Sequence, residues 1–258
     1  MAQKKKEQAT VLMQQEIAPG IYDCRIRTGL ARESAPGQFI AVYPRDKSTL
    51  LPRPISICEV NKEEETLRIV YRVAGKGTAE FSGYRAGDTM DILGVLGNGF
   101  PLDKVNKDQT AFLMGGGIGV PPILELAKQL DCKKIIVGYR DSSCFLREDF
   151  EKNGDLYIAT EDGSVGTAGN VMDAIRENAL KADIIYACGP MPMLRAIKAY
   201  ALEADIPAYI SLEERMACGV GACLGCVCTT KNVDAHSHVH NARICTDGPV
   251  FEAREVEI

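Results

Sequence analysis

The stretch "QTAFLMGGGIGVPPILELAKQLD", residues 109–131, passes from a continuous apolar run through a glycine loop into a helical pattern. "AFLM" shows no polar alternation, as expected of a strand covered on both faces, the condition of a parallel sheet. Glycines at 115, 116, 117 and 119 follow, and Pro121 and Pro122 suit the first turn of a helix, where a missing N–H is not needed. The spacing departs from the G-x-G-x-x-G fingerprint, because position 120 is Val. The order strand, glycine loop, helix is nonetheless that of a dinucleotide site, and Gly117 and Gly119 would let the backbone approach a pyrophosphate.

Working outward, the same alternation continues downstream. "KKIIVGYRD" (133–141) and "GDLYIATED" (154–162) read as strands, "AGNVMDAIRENAL" (168–180) as a helix, "ADIIYACGP" (182–190) as a strand, "MPMLRAIKAYALEAD" (191–205) as a helix and "PAYISLEE" (207–214) as a last strand. Continuous apolar strands alternating with helices predict a doubly wound parallel sheet. Upstream, the pattern is different. "GIYDCRIRT", "GQFIAVYP", "RPISICEV", "TLRIVYRV" and "DTMDILGVLG" are short alternating segments separated by glycine and proline, with one short helix at "GTAEFSGY". They predict a small antiparallel β-barrel. The expected division is therefore a barrel over residues 1–103, an α/β domain over 104–214 and a small cysteine-rich segment over 215–258.

Composition narrows the function. Of 258 residues, 46% are hydrophobic and 25% charged, the ordinary globular range, and the net charge is −5. Lys and Arg are dispersed, apart from Lys4–Lys6, which reads as a solvated terminus, so nucleic acid is not an expected partner. The N-terminus has no apolar stretch fit for a signal peptide, and the most apolar window, residues 111–127, is interrupted by four glycines and two prolines. A soluble cytoplasmic protein without a membrane partner is the expectation. In a reducing compartment ten cysteines do not suggest a disulfide framework, and five of them fall within residues 218–258, which points to metal.

Within "MACGVGACLGCVC" (216–228), Cys218, Cys223 and Cys226 have the spacing C-x4-C-x2-C, and Cys245 follows after eighteen intervening residues. This is the plant-type arrangement for a 2Fe–2S cluster. Glycines at 219, 221 and 225 let the loop curl so that backbone N–H groups face the sulfurs. Structural zinc is the alternative, less well matched because its knuckles usually use C-x2-C-type pairs and the first gap here is longer. Cys228 is left over and reads as a small buried side chain, and core packing accounts for Cys24, Cys58, Cys132 and Cys144. His236, His238 and His240 alternate in "HSHVH", which reads as a solvated hairpin between cluster cysteines.

Two further stretches bear on ligands. "RPISI" (53–57) places Arg53 and Ser56 on one strand, and "AGKGTAEF" (74–81) supplies Gly75, Gly77 and Thr78 at a helix start. Together they suit a pyrophosphate clamp. "YACGPMPM" (186–193) ends a strand in Cys188, Gly189 and Pro190.

The order RPIS, GKGT, GGGIGVPP, CGPMPM and CGVGACLGC…C covers nearly the whole chain. It resembles the electron-transfer subunits of the bacterial NAD-linked dihydroorotate dehydrogenases, within the ferredoxin reductase superfamily. The resemblance implies FAD held by Arg53, Pro54, Ile55, Ser56, Val70, Tyr71, Arg72, Gly77 and Thr78. It implies NAD beside Gly117, Gly119, Cys188, Gly189 and Pro190, and a 2Fe–2S cluster on Cys218, Cys223, Cys226 and Cys245. The implied partner is an FMN-containing catalytic subunit that oxidises dihydroorotate, in a heterotetramer with two copies of each chain, and no residue here is assigned a catalytic role. Electrons would pass from the partner's FMN through the cluster and FAD to NAD, in pyrimidine biosynthesis. The alternative is the same module serving another partner, such as a sulfide dehydrogenase or an NADH-dependent ferredoxin:NADP oxidoreductase. NAD and NADP are not distinguished, since Arg140 would attract a 2′-phosphate that Asp141 would repel.

Overall fold

The computed structural model describes residues 4–234 and 238–258. Six strands close into an antiparallel barrel: β1 (Lys5–Ala18), β2 (Ile21–Arg27), β3 (Phe39–Tyr43), β4 (Arg53–Asn61), β5 (Thr66–Arg72) and β6 (Thr89–Leu96), in the order β1-β2-β5-β4-β3-β6. Every second residue points inward, as the strand period requires, so that Cys24 and Ile26, Leu67, Ile69 and Tyr71, and Met90 and Ile92 share one interior. The helix α1 (Lys76–Phe81) adds Phe81 to that interior, edge-on to Tyr71.

The sequence pattern shows five of these strands and misses β1. Residues assigned there to a free basic terminus are paired instead, Lys5 with Gly94 and Lys6 with Leu93. Only Ala9 and Val11 of this strand are fully buried, so its apolar signal is thin and polar residues dominate it.

Beyond the barrel come β7 (Ala111–Gly116), α2 (Pro121–Gln129), β8 (Lys133–Tyr139), α3 (Arg147–Glu151), β9 (Asp155–Thr160), β10 (Thr167–Ala168), α4 (Val171–Glu177), β11 (Ile184–Cys188), α5 (Met191–Glu203) and β12 (Ala208–Ser211). The strands run parallel in the order β10-β9-β8-β7-β11-β12, doubly wound as expected. Phe112 and Met114 of β7 pack on the α4 and α5 side, and Ala111 and Leu113 pack on the α2 side. That two-faced burial is why the strand reads as an unbroken apolar run. α2 lies between sheet and barrel, sharing an apolar layer with Ile21, Cys58 and Val70.

The cysteine-rich tail is woven into both units. β13 (Val227–Thr229) and β14 (Asn241–Arg243) form a small antiparallel pair, and β15 (Val250–Glu252) adds an antiparallel edge strand to β12. At the barrel, the Asn98 N–H donates to the Gly248 carbonyl at 2.6 Å. Gly97, at φ +73°, has room only for hydrogen, because a Cβ there would lie 2.4 Å from Pro249. His236 lies outside the described residues; β13 and β14 flank the histidine stretch, and His240 Nδ1 sits 2.9 Å from the Lys231 carbonyl. Cys24 and Cys58 are buried as core thiols, whereas Cys132 is exposed and Cys144 half-buried, so core packing does not account for these two. Cys228, on β13, is half-buried instead of enclosed.

Candidate functional site

A cleft of about 250 Å³ opens between β4, β5 and the tail. Eight of the nine residues expected to hold a flavin line it: Arg53, Pro54, Ile55, Ser56, Val70, Tyr71, Arg72 and Thr78. The ninth, Gly77, stands behind Arg53, where a Cβ would come 2.9 Å from the Arg53 Nε, so glycine lets the side chain lie against the start of α1. The Thr78 hydroxyl closes the turn before the helix, accepting from the Ala74 N–H at 2.9 Å and donating to the Gly75 carbonyl at 3.1 Å. Arg53 is half-buried, and its Nη1 donates to the Leu51 carbonyl at 2.6 Å.

A larger cleft, about 720 Å³, sits at the carboxyl ends of the parallel strands. Gly117, Gly119, Gly189 and Pro190 line it. β7 and β11 are neighbours connected to opposite sides of the sheet, and register places Gly115 beside Cys188 and Cys188 beside Ser211. This is the switch point at which open α/β sheets bind ligands. A Cβ on Gly119 would lie 2.5 Å from the Cys188 carbonyl oxygen, so only glycine allows the loop to seat against the end of β11. Cys188 is buried (1% exposed) behind that contact, and burial pushes its thiol up.

The two clefts share Arg72, Ile118 and Glu213. Ile118 and Glu213 were not anticipated from sequence. "GGGIG" draws attention to its glycines, and Glu213 follows β12 with no motif around it. Surrounding protein raises the Glu213 carboxyl above its ordinary value, an effect that Arg72 offsets in part. Arg140, Asp141 and Glu161 line the far part of the larger cleft, at the ends of β8 and β9. Asp141 is held below the usual carboxylate range by the Ser143 N–H and hydroxyl.

The cysteines come together in pairs. The Cys218 thiol interacts with Cys223, and the Cys245 thiol with Cys226 and, less strongly, with Cys218. Partial burial pushes the Cys218 thiol up, but the Val220 N–H, at 3.4 Å, the Cys223 thiol and further backbone N–H groups outweigh it and bring it down to about 6. Cys245 is pushed up to about 12 by burial and by Cys226, with the Gly221 N–H acting the other way. Among the described residues no three His, Cys, Asp or Glu side chains converge on a point as a single ion would require. Two cysteine pairs ringed by N–H donors suit two irons instead of one zinc. The same tail supplies Met216, Ile244 and Pro249 to the wall of the smaller cleft, next to Arg53 and Arg72.

Residues 213–257 match the family model for the iron–sulfur cluster binding domain of dihydroorotate dehydrogenase B. The electron-transfer subunit of dihydroorotate dehydrogenase B (NAD(+)) from Geobacillus sp. (strain WCH70) is 45% identical, over 98% of this chain and 98% of its own length. That from Geobacillus kaustophilus (strain HTA426) is 44% identical, over 97% and 98%. The chain belongs to the electron-transfer subunits of dihydroorotate dehydrogenase B. Among solved structures, one described by its study of flavin-based electron bifurcation in an NADH-dependent reduced ferredoxin-NADP oxidoreductase superposes with a TM-score of 0.85, at 29% identity over 96% of this chain and 89% of that one. The barrel, parallel sheet and tail of this electron-transfer subunit are thus the family's architecture, as the motif order in the sequence implied.

Proposed function

We propose that the chain conducts electrons between a dihydroorotate-oxidising catalytic subunit and NAD, with a 2Fe–2S cluster on Cys218, Cys223, Cys226 and Cys245, FAD in the smaller cleft and NAD in the larger. One observation carries the reading. The two clefts share Arg72, Ile118 and Glu213, and the cysteine tail lines the smaller one at Met216, Ile244 and Pro249, which favours three adjoining stations. When bound, FAD exchanges a hydride with nicotinamide and single electrons with the cluster. The protein's own residues position these groups. Gly77 and Arg53 offer a cation beside a backbone turn, which suits a pyrophosphate. Gly117 and Gly119 would bring the backbone close to the second pyrophosphate, and Gly189 and Pro190 line the same cleft. Arg72 supplies positive charge at the junction, beside Glu213. Val220 N–H and its neighbours supply hydrogen bonds to sulfur, which stabilise thiolate ligands.

We take the functional units to be residues 1–103, 104–214 and 215–258, the first ending after β6 and the second after β12. Five of the nine large apolar side chains exposed among the described residues, Val220, Leu224, Val227, Val233 and Val239, lie on the tail. An exposed apolar group of this kind favours a docking face for the catalytic subunit, which would carry FMN, in a complex of two copies of each chain. Among the described residues no helix is long and apolar enough to cross a membrane; a cytoplasmic location for the complex is part of the proposal. Adding NADH anaerobically to the purified protein tests the reading. Bleaching of both flavin and iron–sulfur absorbance supports it, and a protein that binds neither chromophore contradicts it.

A further inference from the structure

Arg68 of β5 is buried (8% exposed), and its guanidinium serves three carboxylates. Nε and Nη2 fork onto Asp23 of β2 at 2.8–3.1 Å, Nη1 donates to Glu59 of β4 at 3.2 Å, and Nη2 donates to Asp149 of α3 at 3.1 Å. Glu59 in turn accepts from the Lys128 Nζ of α2 at 2.9 Å. A second tie lies beside it: Glu125 of α2, 5% exposed, accepts from the Val60 N–H of β4 at 2.8 Å. Asp23, Glu59 and Arg68 belong to the barrel, whereas Lys128, Glu125 and Asp149 belong to the helices of the sheet. A planar guanidinium with several fixed partners holds an orientation, which a point charge does not.

The clasp lies on two elements, β5 and α2, that lead to the clefts. Along β5 every second residue shares a face, so Arg68, Val70 and Arg72 point the same way. Val70 lies in the apolar layer with α2, and Arg72 lines both clefts. α2, gripped through Lys128 and Glu125, begins directly after the glycine loop Gly117–Gly119. One end of the network is therefore continuous with the flavin wall and the other with the nicotinamide loop. We propose that Arg68 is a positioning residue for hydride transfer, fixing the nicotinamide cleft relative to the flavin cleft through Glu59 and Asp149. This rests on the functional reading above. Neither cofactor touches the clasp in that reading, so loosening it alters the approach of the two rings more than the affinity for either.

The test is anaerobic stopped-flow reduction of the holoprotein by NADH, reading the limiting rate of flavin bleaching, the apparent Kd for NADH and the long-wavelength charge-transfer absorbance. Asp149→Asn takes the charge from the arm to α3, reducing it to at most a neutral hydrogen bond, while Arg68 keeps its ion pairs with Asp23 and Glu59; Arg68→Lys keeps the charge and loses the fork. Both are expected to lower the limiting rate about tenfold and weaken the charge-transfer band, with Kd and FAD content within about twofold of the parent. Arg147→Gln, on the same helix but paired with Glu151 in solvent, is expected to change nothing. An unchanged limiting rate in folded Asp149→Asn overturns the proposal. So does a variant that loses flavin or NADH affinity, which marks a purely structural role. If Arg68→Lys does not fold, Asp149→Asn decides alone. A parent protein whose flavin NADH cannot reduce brings down the functional reading itself, and this inference with it.

Discussion

Gly119 owes its identity to the Cys188 carbonyl, 2.5 Å from where a Cβ would stand. The obstacle is backbone, which cannot rotate away, so Gly119→Ala must shift the loop. The expected outcome is a loss of NADH affinity of about tenfold or more, roughly 1.4 kcal/mol, with FAD retained, as measured by titrating the flavoprotein with NADH under argon. Loss of FAD along with NADH would mean that the loop supports both clefts. The cysteines make a second residue-scale prediction. Cys245→Ser removes the partner of Cys226 and is expected to abolish iron binding and visible cluster absorbance, while Cys228→Ser, on β13 outside the two pairs, retains both. Iron analysis of the two variants separates them, and the reverse result would reassign the fourth ligand. Gly119 and Cys245 stood out in the sequence, the first by the order of strand, glycine loop and helix and the second by cysteine spacing. Glu213 and Ile118 did not, because neither belongs to a pattern; they matter only through where β12 and the glycine loop end.

At the scale of elements, the strand–loop–helix of residues 109–131 was legible because burial on both faces erases polar alternation and Gly and Pro mark each boundary. β1 was not legible, since only Ala9 and Val11 are fully buried. β15 is three residues long, and its pairing with β12 is a long-range event that no local pattern announces. The clasp between elements has a pH signature. Partial burial pushes the Glu59 carboxyl up, but the hydrogen bonds and charges of Lys128 and Arg68 outweigh it and leave it below its ordinary value. A lowered carboxylate contributes stability that is fully present above its unfolded value and lost as pH falls through the folded one. Glu59→Gln is therefore expected to melt below the parent at pH 7, with the gap closing as the pH drops through the acid range. A gap independent of pH would show that shape at Glu59 matters and charge does not.

At the scale of the molecule, the order of stations follows from how the tail is threaded. It leaves the sheet after β12, passes the smaller cleft at Met216, carries the four cysteines and returns as β15 to the strand it left. Val220, Leu224 and Val227 stay exposed beside those cysteines. Leu224→Asp is expected to prevent co-purification of the catalytic subunit while leaving reduction of flavin and cluster by NADH intact; a complex that survives the charge would move the docking face elsewhere. The central claim is that electrons enter through the cysteine tail and leave at the nicotinamide cleft. Its most direct test is to isolate the protein anaerobically from its own cells with whatever co-purifies, add dihydroorotate and NAD, and follow NADH absorbance. The account predicts NADH formation with transient bleaching of the flavin and cluster bands. If dihydroorotate changes nothing while NADH bleaches both chromophores, the conduit stands and the dihydroorotate-oxidising partner assigned to it is wrong.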